Sequence, residues 1–507
     1  MKKLWKKLLA VTTAVMMAIT LLPAMANANA TDGKGSVTII KNGEESDEFL
    51  AGAKFSFYKI ASITNSEGKD WKYTVEEAYR KQLGDNGIAK NLNNLPSSAW
   101  EAEIDVLAAI NATAIKESKA SAEETGSTGA TELPLGVYLV KETTTPAGYV
   151  ASKPFIVSVP STDNYDTAGK EGTKFIYDIT AKPKNSKMSV DKTIVNEDKT
   201  AYIGGFVEYK VETQIPKYGT EYTNPVFNIY DKMSNGLSFV NDAAHKLKVF
   251  VGGTEIVEGK NTYTLATNGL SDEKTFEIQF AKAFLENKEN KGKKVEVTYY
   301  AQVNENAVYI NENSANITYQ NKPGETTDAT PSKKNVYTYG IDLTKKGDKS
   351  ADADGLDGAE FTLAAANGEM ISILVNGKKV AVNGESKGGF QTTTVENKKG
   401  KLVFKGLKAG TYTLTETKSP SGYSLAKNPI TIVITANADG SFASATVNEN
   451  TVTDDVKDGI VPVGLQNKSG FSLPATGGMG TYLFTIGGLV IMAGAALLLI
   501  ASRKRRA

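Results

Sequence analysis

Gly136-Val-Tyr138-Leu-Val-Lys-Glu142-Thr-Thr-Thr-Pro146-Ala-Gly148-Tyr149 returns later in the chain as Gly410-Thr-Tyr412-Thr-Leu-Thr-Glu416-Thr-Lys-Ser-Pro420-Ser-Gly422-Tyr423, with every matched position displaced by the same 274 residues. A repeat at constant offset signals duplicated architecture. Upstream, Ala51-Gly52-Ala53-Lys54-Phe55 is mirrored by Asp357-Gly358-Ala359-Glu360-Phe361. Each is preceded by an alternating run that ends in lysine, Val37-Thr-Ile39-Ile-Lys41 and Ile341-Asp-Leu343-Thr-Lys345. The first and last parts of the body are therefore expected to be copies of one β-sandwich.

The stretch between them lacks these signatures and reads as a different sandwich, marked by Val226-Phe-Asn-Ile-Tyr-Asp231 and Asn313-Ser-Ala-Asn-Ile-Thr-Tyr-Gln-Asn321. Most of the body alternates apolar with polar residues and is rich in Thr, Val, Tyr and Ile between Gly and Asn turns, the pattern of all-β sandwiches. Two segments read as helical insertions in the first domain: residues 75–83, and residues 99–117 with Ile104, Leu107, Ala108 and Ile115 on one face. The expected plan is an all-β chain of tandem immunoglobulin-like sandwiches in an elongated rod. Its boundaries are a signal peptide over 1–30, domains over 31–185, 186–335 and 336–468, and a terminal signal over 469–507.

The two ends say where such a chain goes. Lys2, Lys3, Lys6 and Lys7 precede an apolar run over 8–22 and an Ala28-Asn29-Ala30 cleavage site, a secretory signal peptide. At the other end Leu473-Pro474-Ala475-Thr476-Gly477 is followed by an apolar run over 482–501, long enough to cross a bilayer as a helix. Arg503-Lys504-Arg505-Arg506 then holds the tail on the cytoplasmic side. Eight of the 58 basic residues sit in these two ends, so the body carries 50 basic against 57 acidic residues. That balance offers no basic stripe for nucleic acid. The chain has no cysteine and a single histidine, His245, which excludes disulfides and starves zinc clusters and His-based triads of parts. His245 reads as a surface loop residue, and no metal or other cofactor is called for.

The C-terminal order of motif, apolar span and basic tail resembles the cell-wall sorting signal of Gram-positive surface proteins. In that family a sortase cuts between Thr and Gly, here Thr476 and Gly477, and joins the Thr carbonyl to an amine. With the repeated Tyr-x-Leu/Val-x-Glu-Thr-x-x-Pro-x-Gly-Tyr box, the whole chain resembles a major (shaft) pilin of a sortase-assembled pilus, with two CnaB-like domains flanking a CnaA-like one. The resemblance implies a structural subunit rather than an enzyme, secreted and covalently attached to the cell wall. Its implied partners are a pilus-specific and a housekeeping sortase, identical subunits in a head-to-tail fibre, peptidoglycan, and ancillary pilins and host matrix or cells. A wall-anchored adhesin or ancillary pilin is the competing reading, although no D-x-S-x-S loop of a metal-dependent adhesion domain is found.

Side chains two apart on a strand share a face. Lys41 therefore points with Val37 and Ile39, Lys345 with Ile341 and Leu343, and Glu142 and Glu416 with the tyrosines of their boxes. A charged pair facing an apolar core is costly. Burial lowers a lysine pKa and raises that of a carboxylic acid, so such a pair can persist as neutral amine and neutral acid. The resemblance supplies the outcome: the amine attacks an asparagine carboxamide, ammonia leaves, and a Lys–Asn isopeptide bond forms. The implied sets are Lys41, Glu142 and Asn185; Lys345, Glu416 and Asn467; and, in the middle domain, Lys192, Asp231 and Asn313, with Asn321 of the same parity as an alternative acceptor. Phe175-Ile-Tyr177-Asp178-Ile179-Thr-Ala181-Lys-Pro183-Lys184-Asn185 resembles the pilin motif W-x-x-x-V-x-V-Y-P-K. Phe175, Ala181 and Lys182 depart from it, but Lys184 holds the position that accepts the Thr476 carbonyl of the next subunit, with Lys182 adjacent.

Overall fold

The computed structural model describes residues 33–44, 48–66, 70–83, 104, 106–162, 175–382, 389–453, 456, 458–470 and 485–496. These fall into two compact units. One comprises Met1–Lys199, Gly205–Asn306 and Ile310–Val336, and the other Thr200–Gly204, Ala307–Tyr309 and Tyr337–Ala507.

In the first unit, strand Lys34–Ile40 lies between Asp178–Ala181, to which it is parallel, and Ser127–Pro134, to which it is antiparallel. A second sheet runs in the order Asp70–Val75, Lys54–Ser66, Gly136–Thr144, Phe155–Val159. Val37, Ile39, Phe55, Phe57, Tyr138, Val140, Val157 and Ile179 fill the space between the two. Burying each such side chain contributes about 1.5–3 kcal/mol, which is why the alternating runs select these faces. Strand Gly136–Thr144 is buried on both faces because the back of its sheet is covered as well. Val137 and Leu139 pack there with Tyr79 and Leu83 of helix Glu77–Leu83 and with Leu107 and Ala108.

The helical expectations need correction. Val75 ends a strand, so the first helix begins two residues later than expected. Of residues 99–117, the described helical positions are 104 and 106–108, and 99–103 and 105 lie outside the described residues. Lys116–Glu117 is instead a strand on Lys54–Ser66, and Ile115 is 44% exposed. The edge of the sheet captures this backbone: Ile115 N–H donates to Phe57 O and Ser118 N–H to Phe55 O. A sheet edge with free carbonyls outweighs a weak helical periodicity.

The same unit holds a second sandwich. One sheet runs Asp191–Ile194, Phe206–Gln214, Lys294–Val303, Lys248–Val251, Thr254–Ile256. The other runs Tyr263–Ala266, Phe276–Phe280, Phe227–Met233, Ile310–Lys322, Glu325–Asp328. His245 sits in the loop before Lys248, bonded to Asp242 and stacked on Phe206 with ring centroids 3.9 Å apart.

The second unit repeats the first sandwich. One sheet runs Lys378–Val382, Ile371–Val375, Lys398–Leu407, Tyr339–Gly347, Ile460–Asn467, and the facing sheet is built around Glu360–Ala365, Gly410–Lys418 and Ile430–Ala436. Once more the opening strand, Tyr339–Gly347, lies parallel to the closing one. The repeated box folds alike in both copies. Tyr138 OH donates to Pro134 O, and Tyr412 OH to Lys408 O, each four residues back. Gly148 and Gly422 both adopt φ near +84°, which only glycine takes without strain.

Candidate functional site

Three clusters of lysine, acid and asparagine lie inside the three sandwiches. In the first, pairing between the opening and closing strands runs on past their ends, with Asn42 N–H donating to Pro183 O and Asn185 N–H to Asn42 O. This register turns both Lys41 and Asn185 inward, 0% and 1% exposed. Lys41 Nζ donates to Pro183 O at 2.9 Å and lies 3.6 Å from Glu142 Oε2, which reaches in from the facing sheet. Asn185 Nδ2 donates to Glu142 Oε1 at 2.9 Å, while Ser152 N–H and Oγ–H hold Glu142 Oε2. Burial pulls the Lys41 amine down to about 8 against the opposing pull of Glu142.

The second unit reproduces this arrangement. Lys345 pairs in register with Leu465 and Gly347 with Asn467, so the lysine and the asparagine stand on neighbouring parallel strands. Lys345 is fully buried and Lys346 exposed, as strand alternation requires. Asn467 Nδ2 donates to both oxygens of Glu416, at 2.9 and 3.0 Å, and Ala426 N–H donates to Glu416 Oε2 at 2.7 Å. Ala426 is the repeat equivalent of Ser152. Desolvation lowers the Lys345 amine and Glu416 opposes it.

The middle sandwich uses another layout. Lys192 stands on one sheet, and Asp231 and Asn313 on the sheet facing it. Lys192 Nζ lies 2.5 Å from Asp231 Oδ2, donates also to Tyr299 OH, and sits 4.7 Å from the Tyr209 ring centroid. Asn313 Nδ2 donates to Tyr299 OH at 3.2 Å. Burial lowers Lys192 to about 8 and pushes the Asp231 carboxyl up, against the pull of Lys192. Asn321 is only half-buried, with Oδ1 accepting from Lys322 N–H. It lies eight residues along the strand from Asn313, about 26 Å at a strand's rise.

The three clusters share one feature. Among the described residues, Asn185 Oδ1, Asn313 Oδ1 and Asn467 Oδ1 are buried and accept no hydrogen bond. Leaving a buried acceptor unsatisfied costs about 1–3 kcal/mol. In the first and last clusters a carboxyl stands where its proton could reach that oxygen after a half-turn of the amide. In the middle cluster the Asn313 amide faces Tyr299 OH, which in turn bonds the Asp231 carboxyl.

Sequence reasoning missed Tyr299, Tyr209 and Ser152. Tyr299 has the parity of its buried neighbours Val295 and Val297 in strand Lys294–Val303 and so reads as core. Of the intersubunit residues, Lys184 is exposed and its Nζ donates to Glu44 O at 3.2 Å; Lys182 is exposed as well. Leu473, Pro474, Ala475, Thr476 and Gly477, like the signal peptide, lie outside the described residues. Residues 485–496 of the apolar run are helical, and among the described residues no helix is long and apolar enough to cross a membrane.

Comparison with known proteins agrees with the repeat. The prealbumin-like fold domain family SpaA matches residues 35–173 and 340–450, the two copies, and the LPXTG cell wall anchor motif matches residues 466–507. A fimbrial subunit type 2 of Actinomyces naeslundii is 28% identical over 492 residues, covering 89% of this chain and 82% of its own. The T6 backbone pilin of Streptococcus pyogenes serotype M6, with a modular three-domain structure, superposes with a TM-score of 0.57 at 19% identity over 87% of this chain and all of its own. The Corynebacterium diphtheriae major pilin SpaA, described as pointing to a modular pilus assembly stabilizing isopeptide bonds, gives a TM-score of 0.50 at 20% identity over 86% of this chain and all of its own. With a duplicated prealbumin-like domain and an LPXTG anchor, the chain is homologous to the sortase-assembled pilins.

Proposed function

We propose that this backbone pilin subunit seals each of its three domains with one Lys–Asn isopeptide bond: Lys41–Asn185, Lys192–Asn313 and Lys345–Asn467. Glu142, Asp231 and Glu416 are the promoting acids, and the domains span 31–185, 186–335 and 336–468. The carrying observation is the buried asparagine oxygen without a partner in every trio, beside a buried lysine and a buried acid. In each, the neutral Nζ attacks Cγ while the carboxyl protonates Oδ1, in the middle domain by way of Tyr299 OH. The Nζ–Cγ bond forms, the Cγ–Nδ2 bond breaks, one amine proton passes through the carboxyl to Nδ2, which leaves as ammonia, and the Oδ1 proton returns to the carboxyl as the carbonyl re-forms. The fold makes the step intramolecular, which supplies much of its acceleration.

Sortase-mediated assembly attaches the protein covalently to the cell wall and pilus. In our reading the linkage runs from the Thr476 carbonyl to Lys184 Nζ of the neighbouring copy, after transient anchoring by residues 482–501. Lys184 supports this by its exposure next to the inward-facing Asn185. Contacts of this head-to-tail kind do not close on themselves and produce an open filament. Ancillary pilins and host matrix are further partners in this reading. Intact mass of residues 31–472 tests the bonds: the expected value lies below the calculated one by three ammonias, and a full calculated mass would refute all three.

A further inference from the structure

The two copies of the repeated box differ in what holds their turn. In both, the turn folds back onto the residues just past the asparagine, Tyr149 pairing with Lys187 and Tyr423 with Ser469. In both, a backbone N–H beyond the turn fixes the glutamate, from Ser152 at 2.8 Å and from Ala426 at 2.7 Å. At the first copy the middle sandwich of the same unit adds its own grip. Asn321 O accepts from Ala151 N–H at 2.8 Å, and Lys322 Nζ donates to Thr143 O at 3.3 Å. Thr143 directly follows Glu142, and Ala151 directly precedes Ser152. Two consecutive residues at the end of strand Ile310–Lys322 thus hold both backbone segments that aim the Glu142 carboxyl. Asn321 O is itself tied down by Tyr222 OH at 3.3 Å, and Lys322 is braced by Glu325 at 2.9 Å. At the second copy the position equivalent to Ala151 is Leu425, which is 49% exposed.

We propose that Asn321 and Lys322 are positioning residues for the first-domain crosslink, so that the Lys41–Asn185 bond forms only once the middle sandwich has folded against the turn. This rests on the Lys41–Asn185 bond proposed above. Proton transfer demands that the carboxyl be held to a fraction of an ångström, and the segment carrying Ser152 gains its last backbone anchor from Asn321. The Lys345–Asn467 bond, whose turn is held within its own sandwich, carries no such dependence. The order of maturation is therefore middle fold first, first-domain bond second.

The test uses the full ectodomain made by cell-free synthesis, sampled over time by intact mass and peptide mapping. Ala151→Pro removes the N–H that Asn321 accepts, after an extended residue that tolerates a following proline. It is expected to lose the Lys41–Asn185 link while keeping the other two, which also reports that the middle and last domains have folded. Lys322→Ala, a surface change, is expected to slow that link about five-fold, the effect of one hydrogen bond, with Lys322→Arg restoring it. Leu425→Pro at the equivalent turn should leave all three links intact. Wild-type rates in both Ala151→Pro and Lys322→Ala would overturn the proposal, as would loss of the Lys345–Asn467 link in Leu425→Pro, which would reveal a general effect of proline on the turn. If the parental chain itself lacks the Lys41–Asn185 link, the bond assignment fails first, and the parental sample shows it.

Discussion

Replacing Glu416 by glutamine keeps the shape of the side chain, and its one amide oxygen, placed where Oε2 stands, can still accept from Ala426 N–H and Asn467 Nδ2, but the acidic proton is gone. The Lys345–Asn467 bond should not form, and the ectodomain should retain one more ammonia than the parent. The stability cost follows from the loop that the bond closes. Lys345 and the strand end that carries Asn467 are about 120 residues apart in sequence, and closing a loop of that length removes unfolded-state entropy equivalent to about 5 kcal/mol. For a domain of this size 1 kcal/mol moves the unfolding midpoint by about 4 °C, so the last domain's transition should fall by roughly 20 °C. Calorimetry resolves that transition from the others, and mass spectrometry reports the bond on the same sample. An unchanged mass deficit would remove Glu416 from the chemistry. A lost bond with a shift under about 5 °C would instead refute the loop-entropy argument while leaving the chemistry intact.

Lys184→Ala should leave folding and secretion unchanged and abolish the high-molecular-weight ladder in denatured wall extracts. Lys184→Arg should fail equally because guanidinium stays protonated, and Lys182→Ala should still polymerise; a ladder that survives Lys184→Ala but not Lys182→Ala would move the acceptor by two residues. In the middle domain, Asn313→Ala should cost one ammonia of the mass deficit and Asn321→Ala none, as read by intact mass. Bond formation should also depend on pH. The reactive arrangement shares one proton between amine and carboxyl, and that proton is lost as pH rises through the lysine values of about 8 at Lys41 and Lys192. Chains synthesised into urea and diluted into buffers should therefore crosslink these two pairs more slowly above pH 8; a rate that keeps rising would mean that the free amine alone suffices.

The repeat made the duplicated sandwich legible, because period-two alternation assigns faces without any knowledge of pairing. The burial of Lys345 rather than Lys346, and the opposite facing of Lys184 and Asn185, follow from the same rule. Parity fails where two candidates are an even number of residues apart. Asn313 and Asn321 share a face, and only the register against the opposite sheet puts the first beside Tyr299 and Lys192. Tyr299 escaped notice because a buried polar partner and a core aromatic have the same periodic signature. Residues 99–117 misled through an i, i+3, i+4 pattern shorter than it looked, since nothing in it announces that a neighbouring strand will take up its backbone at Ile115. The assignment of Thr200–Gly204 and Ala307–Tyr309 to the second unit has no sequence marker at all.

The parallel pairing of Tyr339–Gly347 with Ile460–Asn467 matters for tension. With Lys345 joined to Asn467, a pull applied through the C-terminal segment enters at Asn467, crosses to Lys345 and leaves along the opening strand. Residues 346–466 then lie outside the load path and cannot be drawn out. Without the bond, that stretch would release roughly 400 Å of extended chain. With it, the domain can be strained but not lengthened, and hydrogen bonds that would otherwise break one after another carry almost none of the force.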